Sequence, residues 1–122
     1  MTEQDRGFRD LGDTVILYAR DYINDIEGEE LEEMCEGFLN SGVKRIILDF
    51  SNTDLINSIG VSILISIIER VKNCNAVVSF SGLKKVNYDI LKLVGLTEHV
   101  SVYDSEEDAI SGSEDPGGSV TA

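Results

Sequence analysis

The run Arg45-Ile-Ile-Leu-Asp-Phe50 constrains the fold more than any other stretch of the chain. Successive side chains of a strand point to opposite faces, so consecutive apolar residues require cover on both sides. Strands of this kind sit inside largely parallel sheets, and parallel neighbours need long crossover connections. The flanking sequence supplies them. Glu27 to Asn40 reads as a helix, with Leu31, Met34, Cys35, Phe38 and Leu39 on one stripe and acids crowding the first turns. Ser41-Gly42 ends it. Ser58 to Lys72 reads as a second helix. Lys84 to Val94 reads as a third, with Val86, Ile90, Leu91 and Val94 on its buried side and Gly95 as its stop. Strand signals cover Thr14–Tyr18, Tyr22-Ile23, Asn75–Phe80 and Glu98–Val102, and Ser105 can cap a last helical turn through Ile110. The order β β α β α β α β α predicts an α/β fold, a central mixed and mostly parallel sheet with about four helices. Ligands or partners then meet the loops at the carboxyl ends of the strands.

A chain of 122 residues fits one domain. With 10 basic and 23 acidic side chains the net charge is −13, which repels nucleic acid and anionic membranes. Residues 104–122 hold six acids and no base, so the rest of the chain carries −7. The Gly/Ser-rich acidic segment 113–122, with the single proline Pro116, reads as a disordered tail behind a folded domain 1–112. Two cysteines, Cys35 and Cys74, and one histidine, His99, give neither a disulfide framework nor a metal site, and no cofactor is expected. Cys35 belongs to the core stripe, and Tyr18, Tyr22 and Tyr88 read as packing residues. The first residues lack an apolar signal segment, and the longest apolar stretch, Ile59–Ile68, falls short of the roughly 18–20 residues that span a bilayer. These features predict a cytoplasmic protein.

The segment Asp49-Phe-Ser-Asn-Thr-Asp-Leu-Ile-Asn-Ser-Ile-Gly60 joins the buried strand to the second helix through a polar loop. Ser58 is a candidate N-cap, and Gly60 keeps the backbone open beside it. On a helical wheel Ser58, Ser62, Ser66 and Glu69 share a polar wedge, with Ile59 exposed beside it. Val61, Leu64, Ile65, Ile68 and Val71 face the core. A phosphate on Ser58 would meet free N–H groups and the positive end of the helix dipole, while a partner packed on the neutral serine would meet about two new charges. Local chemistry leaves a plain cap and a switchable docking centre both open.

The run Ile46 to Gly60 resembles the signature of the STAS domain, as found in bacterial anti-sigma-factor antagonists. In that family a hydrophobic-Asp-hydrophobic-Ser strand leads to an Asp-Ser-x-Gly turn that opens a helix. Ser58 matches the turn's serine and Gly60 its glycine, while Asn57 stands where the family usually has Asp. Ser81-Gly-Leu83, Val86, Leu91, Gly95-Leu96 and Ser105-Glu-Glu-Asp-Ala-Ile110 fit the later helix, the Gly-Leu stop and the closing acidic helix, so the likeness spans roughly residues 10–112. The resemblance implies partner switching. The unphosphorylated domain binds an anti-sigma factor with Ser-kinase activity and frees a sigma factor. Phosphorylation of Ser58 releases the domain, and a Ser/Thr phosphatase resets it. Asn57 and Gly60 would shape the turn, Ile59 and Ser62 would touch the partner, and Asp25, on a loop at the same end of the sheet, would contribute.

Two competitors stand beside this reading. A phosphorylation-independent STAS adaptor would dock on a transport ATPase or a stressosome-like assembly, and Asn57 leans that way. An aspartyl-phosphate receiver could use Asp49 as acceptor, but no acidic pair follows Thr14–Ala19 and no lysine follows Ser101–Tyr103. A hydrolase or transferase would need an activated nucleophile and a base, and no such pair is visible, so no catalytic residue is assigned.

Overall fold

The computed structural model describes residues 2–112. Its elements are α1 (Glu3–Arg6), β1 (Phe8–Asp10), β2 (Thr14–Tyr18), β3 (Tyr22–Ile23), α2 (Asp25–Asn40), β4 (Arg45–Asp49) and β5 (Leu55–Ile56). They continue with α3 (Ser58–Asn73), β6 (Val77–Ser81), α4 (Lys85–Leu93), a 3-10 turn (Leu96–Glu98), β7 (Ser101–Tyr103) and α5 (Glu106–Gly112). Five strands form one sheet in the order β1-β2-β4-β6-β7, parallel except for β1. The fold is thus α/β with a mostly parallel sheet, as the alternation predicts. A separate parallel pair, β3 with β5, stands beside it.

The register explains why Arg45–Phe50 reads as continuously apolar. Ile46 and Leu48 face the main core with Val15, Leu17, Val78 and Phe80, while Ile47 faces the opposite side with Ile16 and Tyr18. The Phe50 and Phe80 rings meet edge to face at 5.0 Å. Helices α2 and α3 supply much of the cover on the first face, burying Leu31, Cys35, Leu64, Ile67, Ile68 and Val71. The second face packs against α5 through Ala109 and Ile110. There Arg9 of β1 reaches Glu106 at 2.8 Å and Glu107 at 3.2 Å, and the Tyr18 hydroxyl donates to Glu106 at 3.0 Å. Burial first, and then this bond, raises the Tyr18 hydroxyl above its ordinary pKa.

Several expectations need correction. α1 and β1 were not expected; Thr2 caps α1 in a reciprocal capping box, and β1 gains its place by antiparallel pairing with β2. The last strand begins at Ser101, because Leu96–Glu98 winds into a 3-10 turn first. On α3, Ile65 is exposed and Ile67 takes the core position. On α4, Val86 and Val94 are exposed, and the buried side carries Asn87 and Leu91. Tyr22 is exposed and does not pack in the core. The tail reading lies outside the described residues. Among the described residues no helix is long and apolar enough to cross a membrane.

Cys35 is fully buried, and burial, with Glu32 adding to it, pushes its thiol up to about 12. Cys74 is exposed. Because thiolate is the reactive form, a thiol reagent at neutral pH is expected to modify one cysteine rapidly in the native protein and the second only on unfolding. Cys74→Ser should leave no fast-reacting thiol, and two fast thiols would contradict the burial of Cys35.

Candidate functional site

The loop after β4 is tied down by buried polar groups. The Asp49 carboxylate is 3% exposed. Its Oδ1 accepts from the Ser51 N–H at 3.0 Å and from the Ser51 hydroxyl, and its Oδ2 accepts from the Ser81 hydroxyl at 2.7 Å. Thr53, also buried, donates its hydroxyl to the Arg20 carbonyl at 2.6 Å, and Asn87 donates from Nδ2 to the Thr53 carbonyl at 3.0 Å. The Asp54 and Leu55 N–H groups both donate to the Asp21 carbonyl, and Lys84 pairs with Asp54. The β2–β3, β4–β5 and β6–α4 connections are thereby locked together at the carboxyl ends of the strands. Asp49 is an anchor of this loop, buried and with both oxygens engaged by Ser51 and Ser81.

The loop delivers the chain to β5, and pairing with β3 holds Leu55-Ile56 extended. The Asn57 N–H then donates to the Ile23 carbonyl at 3.0 Å. The backbone turns helical one residue later, so the cap of α3 is Asn57 and not Ser58 as expected. Asn57 Oδ1 accepts from the Gly60 N–H at 2.8 Å, and its Nδ2 donates to the Tyr22 hydroxyl at 3.2 Å. Asn and Ser cap helices about equally well, so composition could not choose between them. The β3–β5 pairing sets the boundary. Ser58, as the first helical residue, is exposed, and its hydroxyl makes no hydrogen bond among the described residues.

The other candidate residues fall around it. Gly60 is buried in the first turn, where a Cβ would lie 2.4 Å from the Ile23 carbonyl oxygen. Ile59 is half exposed at 51%, and Ser62 is exposed one turn further on, donating to the Ser58 carbonyl at 3.3 Å. Asp25 belongs to the first turn of α2 and not to a loop, because Asn24 caps that helix by accepting from the Glu27 N–H at 2.9 Å. α2 and α3 lie side by side: Gly28 meets Ile63, Ser66 donates to Glu32 at 2.7 Å, and Arg70 reaches Glu36 at 2.7 Å. Their N-termini therefore share one end of the molecule with Ser58.

Three more exposed apolar residues belong to this end: Tyr22, Ile26 at 68% exposure, and Leu55. Sequence periodicity passed over them. A two-residue strand has too short a pattern to reveal which side chain faces out, and Ile26 precedes the helix that periodicity defines. Among the described residues no group of three His, Cys, Asp or Glu side chains could hold a metal ion.

A family model described as the STAS domain matches residues 8–109. The chain belongs to the STAS domain family. Solved structures agree in fold. The solution structure of the protein TM1081 from Thermotoga maritima superposes with a TM-score of 0.79 at 20% identity, covering 88% of this chain and 87% of that one. An anti-sigma factor antagonist from Mycobacterium paratuberculosis gives 0.76 at 17% identity, covering 88% and 92%. The Bacillus cell fate determinant SpoIIAA in its phosphorylated form gives 0.69 at 15% identity, covering 85% and 95%. No curated protein matches the chain in sequence.

Proposed function

We propose that this protein is an anti-sigma-factor antagonist that docks on an anti-sigma factor with Ser-kinase activity and is released when Ser58 is phosphorylated. The observation that carries the reading is Ser58 itself: an exposed hydroxyl, uncommitted to capping, beside exposed apolar residues on β3, α2, β5 and α3. Tyr22, Ile26, Leu55 and Ile59 supply apolar area for a partner, with Asp25, Asn57, Gly60 and Ser62 fixing or bordering it. Phosphorylation adds about two negative charges at the centre of that surface. The helix accommodates them, because the Ser58 and Ile59 N–H groups have no partner within it and the positive end of its dipole lies there. A partner packed on the neutral surface does not. In this reading ATP and metal belong to the kinase and to the phosphatase that resets the site, and this chain is their substrate.

Incubation with the cognate kinase and ATP is expected to add one phosphate, seen by mass, that Ser58→Ala abolishes. Ser58→Asp is expected to weaken partner binding by about a hundredfold, since an unmatched charge is desolvated in the interface, while Ser58→Ala binds as the native protein does. An adduct that survives Ser58→Ala removes the acceptor assignment. Equal binding by Ser58→Asp and Ser58→Ala leaves a phosphorylation-independent adaptor.

A further inference from the structure

α4 does not sit as its apolar residues alone would set it. Asn87 and Leu91 are fully buried on its inner side, while Val86, Leu93 and Val94 are exposed. At about 100° per residue Val86, Ile90 and Leu93 share one stripe. Turning the helix by about 100° would bring that stripe inward in exchange for Asn87 and Leu91, and apolar burial favours the turned helix. The observed orientation keeps one bond that the turned helix would lose: Asn87 Nδ2 donates to the Thr53 carbonyl at 3.0 Å. Asn87 Oδ1 is buried and meets no donor among the described residues. A buried amide with an unpaired oxygen is unfavourable, so stability alone would not select asparagine here.

We propose that Asn87 is a positioning residue for the docking surface around Ser58, and that α4 is oriented to deliver it to Thr53. The inference rests on the Ser58 reading for what docks there. Thr53 is the joint of the loop. Its carbonyl is held by α4 through Asn87, and its hydroxyl holds the Arg20 carbonyl at 2.6 Å. The next two N–H groups, of Asp54 and Leu55, donate to the Asp21 carbonyl, and Leu55 then pairs with Tyr22. With Asn87 gone the Thr53 carbonyl turns to water, the loop loosens, and exposed Leu55 and Tyr22 lose their fixed place beside Ser58. The acceptor is affected less. Ser58 opens α3, and its start is held separately by the Asn57 N–H on the Ile23 carbonyl and by Asn57 Oδ1 on the Gly60 N–H. Asn87 therefore serves recognition by the partner, not the transfer of phosphate to the hydroxyl. A residue that breaks the apolar pattern of its own helix and supports a binding surface fits the usual exchange of stability for function.

The test is Asn87→Leu in the full chain, a change that keeps the approximate shape and removes both the donor and the unpaired oxygen. Its melting temperature should stay within about 3 °C of the native value. Amide hydrogen exchange at residues 53–57 should quicken about tenfold relative to β4. With the kinase that phosphorylates Ser58, KM for this chain should rise about fivefold while kcat stays within about twofold. Asn87→Ala, which leaves a void, should show the same local exchange at lower stability. A general loss of folding would lower kcat and KM performance together, so the split marks positioning. Unchanged exchange at 53–57 in both variants overturns the proposal. So does faster exchange with unchanged KM, which makes the contact purely structural. If the native protein takes no phosphate, the Ser58 reading falls instead, and the exchange at 53–57 alone decides whether Asn87 holds this surface.

Discussion

Gly60→Ala is expected to lower stability by about 3 kcal/mol and the melting temperature by about 10 °C. The direction is the informative part. Glycine inside a helix costs about 1 kcal/mol relative to alanine, so by propensity alone the substitution should stabilise. At Gly60 the added Cβ would stand 2.4 Å from the Ile23 carbonyl oxygen and 3.1 Å from Ile23 Cγ2. A backbone oxygen cannot rotate aside as a side chain can. The same oxygen accepts the Asn57 N–H, so moving it breaks the contact that sets where α3 begins. Either α3 lifts away from β3 or the β3–β5 pair separates, and in both cases Ser58 and Ile59 are displaced. Gly37 is the control: it lies on exposed α2 surface, and a Cβ there meets nothing within 4 Å. Gly37→Ala should raise stability by about 0.8 kcal/mol. Thermal melts of the two variants read the result, and a Gly60→Ala protein as stable as the native one would show that the close approach of α3 to β3 is not tight.

The parts of this architecture that were legible in the sequence are those whose burial is decided locally. β4 is apolar on both faces because the sheet is covered on both, and α2 shows a single stripe because one side of it meets water. α3 was harder, since isoleucines stand on several sides of it. Ile65 and Ile67 differ only in which neighbour the helix meets, and only the packed structure assigns Ile67 inward. On α4 a wheel of apolar residues misplaced the buried side, because its centre is a polar residue, Asn87, recruited to hold the Thr53 carbonyl. The site shows the same division. Ser58, Ile59 and Gly60 were visible as a serine and an exposed isoleucine at a helix start and a glycine in its first turn. Tyr22 and Leu55 were not, because their exposure depends on a two-residue strand pair that forms between segments 33 positions apart. Nor was the support beneath the loop, where Asp49 and Ser81 come from different strands.

That support yields the second large effect. Asp49→Ala is expected to cost about 3 kcal/mol. Taking a carboxylate out of water is unfavourable; among the described residues Asp49 has no ion-pair partner, and the structure offsets its burial with three donated hydrogen bonds, two from Ser51 and one from Ser81. Alanine removes the acceptor while its donors stay. Ser81 is fully buried, so its hydroxyl is left without a partner at a cost of about 1–3 kcal/mol, and the Ser51 N–H loses the bond that starts the turn. Asp49→Asn separates charge from shape. Its oxygen can keep both Ser51 bonds and its amide can donate to the Ser81 oxygen, so about 1 kcal/mol should be lost. The two variants should also differ locally. In Asp49→Ala the amides of residues 51–55 should exchange faster relative to those of β2 and β4, because the loop loses its hold at Asp49 and keeps its Thr53, Asn87, Asp21 and Lys84 attachments. Chemical denaturation with residue-resolved exchange measures both effects. A uniform loss across the sheet, with no added opening of the loop, would mean that Asp49 supports the core and not the path that presents Ser58.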